Sequence, residues 1–124
     1  MRYSAALAAT LAATLFCIAP SAMALKIDAK ALARFDVTYA PCEARFAEMR
    51  GRGDEVYLSL WNAKLDAKTR AQLGTVRKAT PYTTERRRLV PSAPPAAGTA
   101  AASAFEQECR DLWAQAQRGM QGKG

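Results

Sequence analysis

Cys42 and Cys109 each fall in step with an apolar stripe of helical period, and this constrains the fold more than any other feature of the chain. Around the first, Leu32, Phe35, Tyr39, Cys42, Phe46 and Met49 recur at spacings of 3, 4, 3, 4 and 3. That is one face of a helix of about 22 residues. Around the second, Phe105, Cys109, Leu112 and Ala116 follow at 4, 3 and 4, with Trp113 beside them. Two cysteines on two buried stripes can meet where the stripes pack. The spacing therefore predicts a Cys42–Cys109 disulfide and a C-terminal helix that packs back on the first helix. In the chain-entropy picture, a bridge closing a loop this long stabilises by roughly 4 kcal/mol.

The pairing requires the third cysteine, Cys17, to be elsewhere. Arg2 precedes an apolar stretch from Ala5 to Ile18, Pro20 breaks it, and Ala22 and Ala24 place small residues where a signal peptidase reads them. Residues 1–24 are thus expected to be a secretory signal peptide cut between Ala24 and Leu25. The apolar stretch falls short of the ~20 residues a membrane span needs, so no transmembrane anchor is expected after cleavage. Bulky Phe16 before Cys17 argues against lipid attachment there. Cleavage removes Arg2 and Cys17, leaving 17 basic and 11 acidic groups, a charge of +6, and two cysteines. In an oxidising compartment such a pair makes one disulfide. The expected location is the periplasm of a Gram-negative bacterium, or the medium outside it.

The rest of the chain punctuates itself. Asp28 is a candidate N-cap, and the unbroken stripe favours a kink over a stop at Pro41. Gly51-Arg52-Gly53 ends the first helix and Asp54 is expected to cap the second, which carries Tyr57, Leu58, Trp61 and Leu65. Asp66 continues that helix or recaps it, and Leu73 and Val76 extend a weaker stripe through residue 78. Thr80-Pro81 has the form of an N-cap and first helical residue for a short helix reaching about Val90. Residues 25–90 form the helical domain, and residues 91–102, PSAPPAAGTAAA, form a flexible Pro/Ala-rich linker. Ser103 and Glu106 spell a capping box for a last helix over 103–119, with 120–124 as a disordered tail. No segment alternates with β period. The fold class is all-α: a small, disulfide-stapled bundle of about four helices after signal-peptide removal.

The chemistry of the chain points to binding. It has no histidine, which removes the commonest general base and metal ligand. Paired cysteines leave no thiolate, and no P-loop, nucleophile elbow or C-x-x-C is present. No catalytic, cofactor-binding or metal-ligating residue is assigned, and the chain reads as a non-enzymatic protein. Arg86-Arg87-Arg88, with Arg77 and Lys78 near them, form a candidate surface for an anionic partner. Three consecutive residues span most of a helical turn, so a solvated helix face is the competing reading. Tyr57, Trp61 and Trp113 are a candidate aromatic contact surface, although aromatics at helical spacing more often form core. The tripeptide Arg52-Gly53-Asp54 has the letters of an adhesion motif, but the end of one helix and the start of the next account for it. The expected partner is an envelope protein or an anionic envelope polymer. Export disfavours nucleic acid.

Two resemblances suggest alternatives. Cys42, Trp61 and Cys109 are loosely similar to the outline of the lysozyme-inhibitor-like domains of bacterial envelopes, although Trp113 after the second cysteine departs from that order. That resemblance implies an inhibitor or immunity-type protein directed at a secreted hydrolase, best an acidic one given the basic charge. Residues 65–73, LDAKTRAQL, resemble the repeats of periplasmic stress chaperones. Neither covers enough of the chain to transfer a residue's role.

Overall fold

In a computed structural model that describes residues 25–122, the chain is all-helical. The signal peptide expected over 1–24 lies outside the described residues, as do positions 123 and 124 of the expected tail. The elements are α1 (Ala29–Arg45), a 3₁₀ turn (Ala47–Met49), α2 (Gly53–Leu60), α3 (Ala67–Lys78), α4 (Thr80–Arg88) and α5 (Ala100–Gln121). Among the described residues there is no strand. Helix α1 is the hub: α4 lies along it, and α2, α3 and α5 all touch it.

Helix α1 begins as its sequence dictates, with the Asp28 carboxylate accepting from the Ala31 amide at 2.9 Å. It runs unbroken through buried Pro41 and stops at Arg45, four residues short of the expected end. The stripe persists because the 3₁₀ turn carries Met49 back into the core. There the buried Tyr39 hydroxyl donates to the Met49 carbonyl at 2.6 Å. Gly51, at φ +74°, turns the chain toward α2.

Several helix starts differ from their sequence signals. Asp54 does not cap α2. The N-cap position belongs to Arg52, and Asp54 lies inside the first turn, engaged by a distant arginine. The expected second helix is two, because α2 stops at Leu60 and Asp66 recaps α3 through a reciprocal capping box with Thr69. Ala79, not Thr80, is the N-cap of α4, so Pro81 falls one place later within its first turn. Helix α5 starts at Ala100, capped by Thr99 rather than Ser103; the Thr99 hydroxyl accepts from the Ala102 amide at 3.0 Å. The Ser103 hydroxyl donates back to the Thr99 carbonyl and Glu106 turns to Arg45 and Arg110, so the predicted capping box does not form. The helix therefore takes the last three residues of the expected linker and extends to Gln121, with Met120 packed on the core. Its main neighbour is α2 rather than α1.

Helices α1 and α5 are instead joined covalently by the Cys42–Cys109 disulfide, both residues buried. The core has two clusters. One gathers Leu32, Ala33, Tyr57, Leu58, Leu73 and Tyr82. The other surrounds the disulfide with Tyr39, Met49, Val56 and Ala116. Phe35 packs against both. Its ring stacks on Tyr39 at 5.4 Å and meets Tyr57 edge-on at 5.3 Å. Tyr57 in turn lies 6.3 Å from Trp61, so four aromatic rings run in series from the disulfide cluster to the surface.

Candidate functional site

Of the expected basic surface, part is structural. Arg77 forms a fork with Asp36, Nε and Nη2 donating at 2.9 and 3.0 Å, and Nη2 also reaches Asp54 at 2.7 Å. Among the residues of that expected surface, Arg77 thus has a structural role as well: one guanidinium ties α3 to α1 and α2. The two carboxylates push the Arg77 pKa further up, so its charge is permanent. Tyr82 donates its hydroxyl to the same Asp36 and accepts from Arg86 at 3.2 Å, bringing α4 into the network. Arg88 and Arg34 both hold Glu85, a carboxylate only 4% exposed. Lys78 and Arg87 stay on the surface without an ion-pair partner among the described residues. The basic cluster is thus divided, with Arg77 partly buried and engaged in cross-links, Arg86 and Arg88 half-committed, and Lys78 and Arg87 outward.

The Arg52-Gly53-Asp54 tripeptide is likewise absorbed by the fold. Arg52 pairs with Glu55 at 2.6 Å and lies over the Trp113 ring, 5.1 Å from its centroid. The same hydrogen bond holds the Glu55 carboxyl below its usual range. Gly53 abuts the Tyr39 ring, where a Cβ would come to 3.3 Å.

The three candidate aromatics part company. Tyr57 is core, and Trp113 is half-buried beneath Arg52. Trp61 is 58% exposed, although its spacing from Tyr57 predicted the core face. Helix α2 ends one residue before it, so the ring leaves the stripe. The chain closes α2 there with a Schellman motif. The Asn62 amide donates to the Ser59 carbonyl at 3.2 Å and the Ala63 amide to the Leu58 carbonyl at 2.9 Å. Asn62 occupies the left-handed position at φ +52°, where glycine is the usual residue.

Trp61 lines a surface cleft of about 600 Å³. Lys26 from the segment before α1, Asn62 from the turn, and Lys68, Thr69 and Gln72 from α3 line it. Its apolar lining, besides Trp61, is Leu25 and Ala63. Asp66 is also on the rim, but its carboxylate is turned to the α3 amides: it accepts from Thr69 N at 2.8 Å, which keeps its pKa low. Leu25, Lys68 and Gln72 are shared with a second hollow that continues along α3 past Ile27, Thr75 and Val76. Sequence reasoning missed Lys26, Asn62, Lys68 and Gln72. The legible signals were the Asp66 recap and the Asn62-Ala63 turn, which together would have placed Trp61 in a loop.

A separate groove of about 370 Å³ beside the disulfide is lined by Pro41, Leu89, Val90, Phe105 and Leu112, with Val90 83% exposed. Among the described residues there is no group of three His, Cys, Asp or Glu side chains placed to hold a metal ion, and no helix long and apolar enough to cross a membrane. Compared with protein families, with curated proteins and with solved structures, the chain matches none significantly.

Proposed function

We propose that this chain is an exported, non-enzymatic binding protein of the bacterial envelope, and that it meets its partner through the Trp61 cleft. The observation that carries the reading is the placement of Trp61: a large aromatic side chain, exposed yet held in place. Exposed apolar rings on a rigid turn, rimmed by polar groups, are what recognition surfaces are made of. Export is supported by the leader-like pattern of residues 1–24 and by a disulfide of the kind that persists in oxidising compartments. Binding rather than catalysis is supported by the acids: Asp36, Asp54, Glu55, Glu85 and Glu106 are all taken up in arginine pairs.

The test has two parts. Intact-mass measurement of the chain recovered after export should give a product beginning at Leu25 and two hydrogens lighter than its reduced form. That product should co-sediment with isolated envelope material, and Trp61→Ala should abolish this while the variant still unfolds cooperatively. Equal sedimentation of the two proteins would remove the cleft from consideration. A product retaining residues 1–24 would remove export.

A further inference from the structure

The composition of the cleft narrows its ligand, and we infer that it takes a saccharide chain bearing anionic groups. The inference rests on the reading of the cleft as the binding surface and specifies what fills it. Three chemistries meet there. The Trp61 ring offers a flat apolar face, suited to the C–H face of a sugar ring. The Asn62 and Gln72 side-chain amides make no hydrogen bond to the described residues and can both donate and accept, as ring hydroxyls require. Lys26 and Lys68 have no ion-pair partner among the described residues and supply positive charge.

Other anionic ligands fit less well. A lipid surface would need a broad apolar patch, and Trp61 is the one large exposed hydrophobic side chain of the cleft. A run of acidic residues would use the lysines and could pair its backbone with the two amides, but it offers the Trp61 ring no apolar face to stack on. The adjoining hollow along α3, sharing Leu25, Lys68 and Gln72, gives an extended ligand room beyond one ring.

Asn62 adds an independent observation. At φ +52° either glycine or asparagine suits the backbone, and here the residue is an asparagine that lines the cleft. Asn62→Gly should therefore keep the turn intact while deleting the amide, separating ligand binding from folding.

The experiment uses chain purified in its exported, oxidised form with Trp113→Phe, so that Trp61 is the sole fluorescent tryptophan. It is titrated with oligogalacturonate, a size-matched neutral malto-oligosaccharide, poly-glutamate and anionic phospholipid vesicles. Oligogalacturonate should shift Trp61 emission and bind roughly fivefold to tenfold tighter than the neutral sugar at low salt, an advantage fading as salt rises. Lys26→Gln with Lys68→Gln should erase that advantage. Asn62→Gly should weaken both sugars severalfold at unchanged stability. Trp61→Ala, followed by calorimetry, should lose on the order of thirtyfold. If poly-glutamate or vesicles bind through Trp61 and neither sugar does, the saccharide assignment is overturned while the cleft remains the binding surface. If no probe moves Trp61 and envelope sedimentation is insensitive to Trp61→Ala, the cleft itself is overturned.

Discussion

Gly119 of α5 faces the Ser59 carbonyl of α2 so closely that a Cβ at position 119 would lie 3.0 Å from that oxygen. The oxygen has little room to retreat, because it accepts from the amides of Trp61 and Asn62. Helix propensity alone favours alanine over glycine by ~1 kcal/mol. The clash should outweigh it, so Gly119→Ala is expected to lower stability by about 1 kcal/mol net. Gly74, inside α3, has nothing within 4 Å of its virtual Cβ, and Gly74→Ala should raise stability by ~0.5–1 kcal/mol. Urea unfolding of the two variants side by side reads both signs. A stabilised Gly119→Ala would show that α5 sits more loosely on α2 than described.

The disulfide spans 67 residues of sequence and encloses α2, α3 and α4. Loop-closure entropy for that length gives roughly 4 kcal/mol of stabilisation. Cys42→Ser with Cys109→Ser should lose about that much, a large share of the 5–15 kcal/mol typical of a domain. Denaturant midpoints of oxidised, reduced and double-serine protein measure it, and the last two should agree.

Asp36 anchors the cross-helix network, with a side chain only 14% exposed. Asp36→Asn leaves the Arg77 charge facing Asp54 alone and should cost about 2 kcal/mol, below the range for fully buried pairs because Arg77 is partly solvated. Tyr82→Phe deletes one hydrogen bond to the same carboxylate and should cost about 1 kcal/mol. Because they share Asp36, the double variant should lose less than the sum. Full additivity by thermal or urea unfolding would dissolve the network into independent contacts.

Alkaline unfolding should carry the mark of Tyr39. Burial, reinforced by the nearby Glu43 charge, pushes its phenol up to about 12 from 10.0. The folded state therefore holds this proton more tightly than the unfolded chain does. The stabilisation is fully present below pH 10 and is lost as the pH rises from about 10 to about 12. Tyr39→Phe should cost about 1 kcal/mol at neutral pH through the lost bond to the Met49 carbonyl. It should also flatten the stability-against-pH curve in that alkaline window. An unchanged slope would mean that other groups govern the alkaline limb.

What the chain disclosed in advance was its long-range pairing, since Cys42 and Cys109 each sat on a stripe whose period is set by helix geometry alone. Helix ends were harder to read. The stripe through Phe46 and Met49 continued past the end of α1, because a 3₁₀ turn can keep a side chain inward after the α-helix has stopped. Ser103-x-x-Glu106 satisfied a local rule, but Thr99 could also cap, and starting there let three more alanines join the helix and buried Ala102. Arg77 read as surface because no local pattern announces that Asp36 and Asp54 stand opposite. Trp61 read as core because it follows Tyr57 by four; nothing in that spacing marks Leu60 as the end of the helix.

The series Tyr39, Phe35, Tyr57, Trp61 makes Phe35 one of the links through which the two clusters share their order. Each cluster alone has too few buried side chains to hold a chain folded, and Phe35 adjoins both. The molecule is accordingly expected to melt as a unit, with the order around Trp61 depending on packing that reaches back to the disulfide cluster. Emptying position 35 would decouple the two poles: the disulfide end would stay tied while the Trp61 end frayed first. Order around Trp61 and global stability would then be lost at different temperatures.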